Sequence, residues 1–388
     1  MAVSLTDDRN DPLRKALTHG LAFWAVVGPL WVLVNSALGG RFALDFRHAF
    51  LPASHAVLNG HSPYSALGSR ALAQGTAFLY PPLGAYILAP FTLLPPLAAE
   101  IIAVALAALA VVATLRLLGV RDWRCYAIGF LWWPTIIGIQ TGNLTLPMLV
   151  GLALVWRYRD RPAVAALAAG LLIALKLFFW PLLIWFVATR RYRTAALTAL
   201  VTALLVILPW VGIGFAGLRG YPRLLSIVSS SEGPRSYSVA ALLHALLPSW
   251  TAAVALETAV GAFVLLLVFA LGRRGRDRDA YALAILAFIL LTPLLELHYL
   301  AVLLVVVALY RKRLGVAWVV PLLIWGASAT QAGSTIQVAH VLVVVAAAAA
   351  ACALSDRPRR FALTPWTTRP GGGHALGRGP TTVTGSSP

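Results

Sequence analysis

The chain has 388 residues, of which 60% are hydrophobic and only 11% charged, and its mean hydropathy is +0.82. Soluble domains carry about 25% charged residues, so an ordinary soluble domain is excluded. The formal net charge of +18 does not point to nucleic acid, because the basic residues stand in short clusters between apolar runs, as in the cytoplasmic loops of membrane proteins.

The apolar runs are rich in Ala, Leu and Val and do not alternate, which favours helices over barrel strands. Cys125 and Cys352 fall in or beside these runs and imply no disulfide framework. The N-terminal stretch is too acidic, and too long before its apolar run, for a cleaved signal peptide. A first span is predicted over 21–38, with Arg14 and Lys15 before it holding the N-terminus in the cytoplasm. The interval 41–82 then faces outward. Within it Phe46, Ala49, Phe50, Ala53 and Val57 keep helical spacing, while Arg47, His48 and His55 lie off that stripe. The pattern predicts an interfacial amphipathic helix, kinked at Pro52 and ended by Asn59-Gly60.

Tyr80-Pro81-Pro82 opens a short apolar segment over 83–94. Spans follow over 98–118, 125–139 and 144–156, the last two joined by the polar turn Gln140-Thr141-Gly142-Asn143. The segment 162–189 is flanked by basic clusters on both sides, Arg157, Arg159 and Arg161 before it and Arg190, Arg191 and Arg193 after it. Two short helices meeting near Lys176 keep both clusters inside; a single tilted helix with a snorkelling lysine is the alternative. Further spans are expected over 194–211, 251–271, 280–295, 299–310, 314–329 and 336–354. A second outer loop carries Arg219, Arg223, Glu232 and Arg235. The expected fold is all-α, a polytopic membrane protein of about 12 transmembrane helices. It forms one membrane domain over 1–354, with the first outer loop at 39–82. The tail over 355–388, rich in Gly, Pro, Thr and Ser, reads as cytoplasmic and disordered.

This topology brings Asp45, Gln140, Asn143, Lys176, Arg219, Arg235 and His298 to one outer face. Asp45 can cap the following helix or act as a general base. Lys176 can snorkel, or can hold a phosphate at membrane depth. Glu296 can be a simple loop charge. There is no P-loop, dinucleotide fingerprint or His/Cys metal cluster, so the sequence names no cofactor and leaves any metal requirement open. A multi-helix transporter or lipid flippase is the alternative, but no internal repeat supports it.

The run Asp45-Phe46, Ala56-Val57-Leu58-Asn59-Gly60-His61-Ser62-Pro63-Tyr64 and Phe78-Leu79-Tyr80-Pro81-Pro82 resembles the signature of glycosyltransferase family 87. The turn at 140–143 and the stretch Gly170 to Leu177 are similar to further family segments. That family comprises GT-C-type, polyprenyl-phosphate-mannose-dependent α-mannosyltransferases of actinobacteria. The resemblance implies a catalytic aspartate at Asp45 and a membrane cavity for a polyprenyl-phosphate sugar donor. It also implies a lipid or glycan acceptor, with transfer at the outer face of the cytoplasmic membrane, and it makes Lys176 and His298 donor-phosphate contacts. His48, Tyr64, Gln140, Asn143, Arg219 and Arg235 complete the expected substrate-binding set. Around His298 the chain reads Thr292-Pro293-Leu294-Leu295-Glu296-Leu297-His298, where the family often has Ser-Pro-x-x-Trp-x-His.

Overall fold

The computed structural model describes residues 12–327 and 332–354. The tail over 355–388 lies outside the described residues. Among those described, regular structure is entirely helical. Five helices are long and apolar enough to cross a membrane: Thr18–Leu38, Pro96–Leu117, Tyr192–Gly212, Trp250–Arg273 and Thr335–Leu354. Much of their apolar surface stays uncovered by protein, as at Leu109, Leu208 and Leu266. Such a belt suits hydrocarbon rather than water.

Inside this frame stand three pairs of shorter helices, each entering and returning at the same end of the bundle. The first pair enters through Trp123–Leu131 and Trp133–Thr141 and returns through Thr145–Arg157, with a bend of 117° between the last two. Gly142 makes that bend possible. Its φ of +65° is left-handed, and a Cβ there would lie 3.0 Å from Phe46. The second pair is Pro162–Leu175 and Pro181–Ala188, broken at Lys176, whose backbone is extended. Arg191 pairs with Asp160 at 2.9 Å, so the two ends of this pair away from Lys176 meet. The third is Asp277–Leu290 followed by Leu297–Val302 and Leu303–Tyr310. Here the Tyr310 hydroxyl donates to Asp279 at 2.6 Å and closes the ends.

Asp277 ties the pairs together at this basic end. It accepts from Arg159 at 3.2 Å, Arg191 at 2.9 Å and the Trp185 indole at 2.8 Å. Helices of 13 or 14 residues rise about 20 Å, short of a hydrocarbon layer of about 30 Å. Each such helix is therefore too short to cross alone, and the chain turns back at 141–144, 176 and 291–296. The sequence expectation of a paired segment meeting near Lys176 matches the break and the Arg191–Asp160 contact.

The first loop closes over these turns. Phe46–Phe50 is a π-helical turn running into Leu51–Leu58. Pro52 offers no N–H to the α ladder, and the wider turn occupies the residues just before it. Phe46, Phe50, Ala53 and Val57 are buried and pack toward Pro82–Leu88 and Ala89–Leu93. The stripe expected to face a membrane surface is thus turned into the protein. Arg47 grips the buried Glu100 with two hydrogen bonds, the first 2.8 Å, and pins the turn to Pro96–Leu117.

Candidate active site

Asp45 ends the strained entry to this π turn. Ala43, two residues before it, has φ +52°, a conformation that costs a non-glycine residue on the order of 1–2 kcal/mol. Its amide donates to the Gln140 carbonyl at 2.8 Å, which docks the loop on the 140–143 turn. The Asp45 side chain makes no cap hydrogen bond to the helix that follows. The capping role open at the level of sequence is therefore corrected: the carboxylate is turned inward, where Asn143 Nδ2 donates to it at 2.7 Å.

Asn143 has one orientation available. Its Oδ1 accepts from the Thr145 amide at 2.9 Å and the Thr145 hydroxyl at 2.8 Å, with the Tyr80 hydroxyl at 3.3 Å. With the carbonyl so occupied, the amide nitrogen must face Asp45. Burial pushes the Asp45 carboxyl up from the usual aspartate range, while the Asn143 hydrogen bond and the Lys176 charge pull it back. The result is a carboxylate held by one donor, with accepting capacity left over.

Asp45, Asn143, Tyr80, Glu232, Glu296 and Tyr299 line a narrow slot of about 50 Å³. That is room for one or two waters or a single functional group. Lys176 lies behind its wall. The ammonium stands 3.0 Å from the centre of the Tyr299 ring, with the Tyr80 and Phe288 rings at 5.5 and 5.7 Å, and it makes no hydrogen bond. His298 is fully buried beside it. Its Nδ1 lies 3.3 Å from Glu296 Oε2 without hydrogen-bond geometry, and Nε2 has no partner. A lysine and a histidine left without hydrogen bonds inside a protein are costly unless a ligand completes them. The ligand atoms of Asp45, Glu296 and His298 lie within 4.8 Å of one another, a spacing that could also hold a divalent cation. The sequence carries no trace of that grouping, because the first member lies far from the other two.

The other expected residues fall in an outer layer. Tyr64 stacks on Trp210 and packs at a tilt against Tyr221, and its hydroxyl donates to the Tyr80 carbonyl at 3.0 Å, so it supports the slot from behind. Gln140 acts through its backbone carbonyl. Arg235 lines a neighbouring chamber, whereas His48 and Arg219 are exposed and line neither cavity. Tyr299, Glu232 and Gln74 were not singled out as site residues by sequence. Only the adjacency of Tyr299 to His298 could have signalled one of them. A separate cleft of about 1110 Å³, between Trp24, Trp31, Leu131 and Trp325, has no charged wall residue.

A family model described as glycosyltransferase family 87 matches residues 78–295, more than half of the chain. The chain belongs to glycosyltransferase family 87. No curated protein and no solved structure matches it. Membership in family 87 makes the protein a membrane glycosyltransferase, with a sugar donor and an acceptor. The matched region includes Tyr80, Asn143, Lys176 and Glu232, while Asp45, Glu296 and His298 lie outside it.

Proposed function

We propose that this family 87 glycosyltransferase moves mannose from a polyprenyl-phosphate carrier to a lipid or glycan acceptor, with inversion and with Asp45 as general base. The observation that carries the reading is the Asp45 carboxylate, held by Asn143 in a slot open to one functional group, with an unpartnered lysine behind the slot wall. An acceptor hydroxyl entering the slot gives its proton to Asp45 as its oxygen bonds to the anomeric carbon. The bond from that carbon to the phosphate oxygen breaks, and the electron pair leaves with the polyprenyl phosphate. Lys176 and His298 stabilise the departing anion. Phosphate leaves as a stable anion, so one carboxylate suffices where glycosidases use two.

The clusters at Arg157–Arg161, Arg190–Arg193, Arg273–Arg278 and Arg311–Arg313 support a cytoplasmic basic end. The protein is then multi-pass, with about 12 membrane segments when the short paired helices are counted. The slot opens on the extracytoplasmic side, as expected for an actinobacterial enzyme of cell-envelope synthesis. Residues 1–354 form one membrane domain, and 355–388 a cytoplasmic tail. The test is transfer by purified protein offered mannose, glucose and arabinose on the same polyprenyl phosphate, with Asp45→Asn alongside. Mannose is expected to be preferred. Asp45→Asn keeps the melting temperature, since Asp45 caps no helix, and slows single-turnover transfer by about 10²–10⁴-fold. A folded Asp45→Asn enzyme turning over near the parent rate would remove Asp45 as the base.

A further inference from the structure

Beside the Asp45 slot lies a second chamber of about 300 Å³, at the small end of ligand cavities. Gln74, Glu232, Arg235, Ser236 and Glu296 give it polar walls. The two spaces share Gly75, Glu232 and Glu296, so they adjoin along one partition. Gly75 keeps that partition thin. Its φ is +65°, and a Cβ there would lie 3.8 Å from both Glu232 carboxylate oxygens. Glu232 ends the helix Tyr221–Glu232 and is half-buried. No described residue gives its carboxylate a hydrogen bond; the charge of exposed Arg235 attracts it and that of Glu296, across the partition, repels it.

We propose that this chamber seats the sugar ring of a glycosylated acceptor and that Glu232 recognises its hydroxyls. The proposal rests on the transferase reading and adds the chemical class of the acceptor. Size decides which space holds the ring. The slot of about 50 Å³ admits a hydroxyl but no pyranose, whereas the chamber of about 300 Å³ can hold one. A ring seated there reaches Asp45 by passing one hydroxyl across Gly75. A free carboxylate accepts from two neighbouring hydroxyls at once, which suits a vicinal diol. Lys176 packs against Tyr80 and Tyr299, which line the slot but not the chamber.

The experiment measures binding of octyl α-mannoside and octyl β-glucoside to the full-length protein without donor, for parent, Glu232→Gln and Gln74→Ala. Transfer kinetics with polyprenyl-phosphate-mannose run beside it. Glu232→Gln is expected to weaken glycoside binding and raise the acceptor KM by about 10- to 100-fold, with the donor KM changed less than about twofold. Gln74→Ala, in an exposed loop, weakens both by less and guards against a folding defect at position 232. A parent that binds neither glycoside overturns the proposal. So does a Glu232→Gln variant that raises the donor KM alone, which would make the chamber the donor's seat, or one that changes nothing. Loss of all transfer in a parent that still binds glycoside through Glu232 would defeat the transferase reading instead.

Discussion

The two ends of the bundle treat charge in opposite ways. At the basic end each described carboxylate has a cationic partner. Asp122 pairs with Arg124 at 2.9 Å, Asp160 with Arg191 at 2.9 Å, Asp277 with Arg159 and Arg191, and Asp279 with Arg276 at 2.7 Å. The effect is visible at Asp122, where the Arg124 hydrogen bonds hold the carboxyl down at about 2. At the Asp45 end Glu100 is gripped by Arg47, but among the described residues Asp45 has only Asn143, Glu232 takes no hydrogen bond, and Lys176 and His298 lack hydrogen-bond partners. Complete pairing fixes the geometry of one end. Incomplete pairing leaves the other end with valences that a substrate can fill.

The contrast can be broken by mutation at either end. After Asp45→Asn, the next largest effect is expected at Lys176. Lys176→Ala should raise the donor KM by about 10- to 100-fold, because a charge-assisted contact to phosphate is lost. Lys176→Arg should restore only part of it, since the planar fork differs from a compact ammonium. Unchanged donor use in Lys176→Ala would mean that the caged lysine serves packing alone. A smaller, graded effect is expected from pH. Asp45 must lose its proton to act, and burial raises its pKa. Single-turnover transfer should therefore rise about tenfold per pH unit and level off above the ordinary aspartate value of about 4. A rate already flat from pH 4 upward would contradict a base in that environment. The smallest catalytic effect belongs to the paired end. Asp277→Asn should lower Tm by about 2–4 °C, a modest loss because the ion pairs are partly exposed. Its donor KM should stay within about twofold of the parent. A catalytic defect without a fall in Tm would show that the basic end is not simply structural.

Some of this was written locally in the chain. The basic clusters on both sides of 162–189 predicted the break at Lys176, because a membrane span cannot leave both flanks on one side. The 140–143 turn was legible from its polar residues. The stripe over Phe46 to Val57 predicted a helix correctly, yet could not say what would cover it. Spacing reports that one face is apolar, and protein and lipid satisfy such a face equally well. The bland reading of Asp45 as a cap failed for a related reason. An aspartate before a helix has a local partner available in any sequence, and here the long-range partner, Asn143, took its place.

By itself the sequence determined the helical membrane class, the basic end, the short pair around Lys176 and the family likeness. All of these depend on composition, on spacing within a few turns or on contiguous motifs. The tertiary structure alone decided that Asp45 meets Asn143, that Tyr80 and Tyr299 cage Lys176, and that Glu232 and Glu296 part a narrow slot from a larger chamber. Those contacts join residues tens to hundreds of positions apart. They form only when the turns of three short helix pairs meet under the first loop, which depends on how the helices pack.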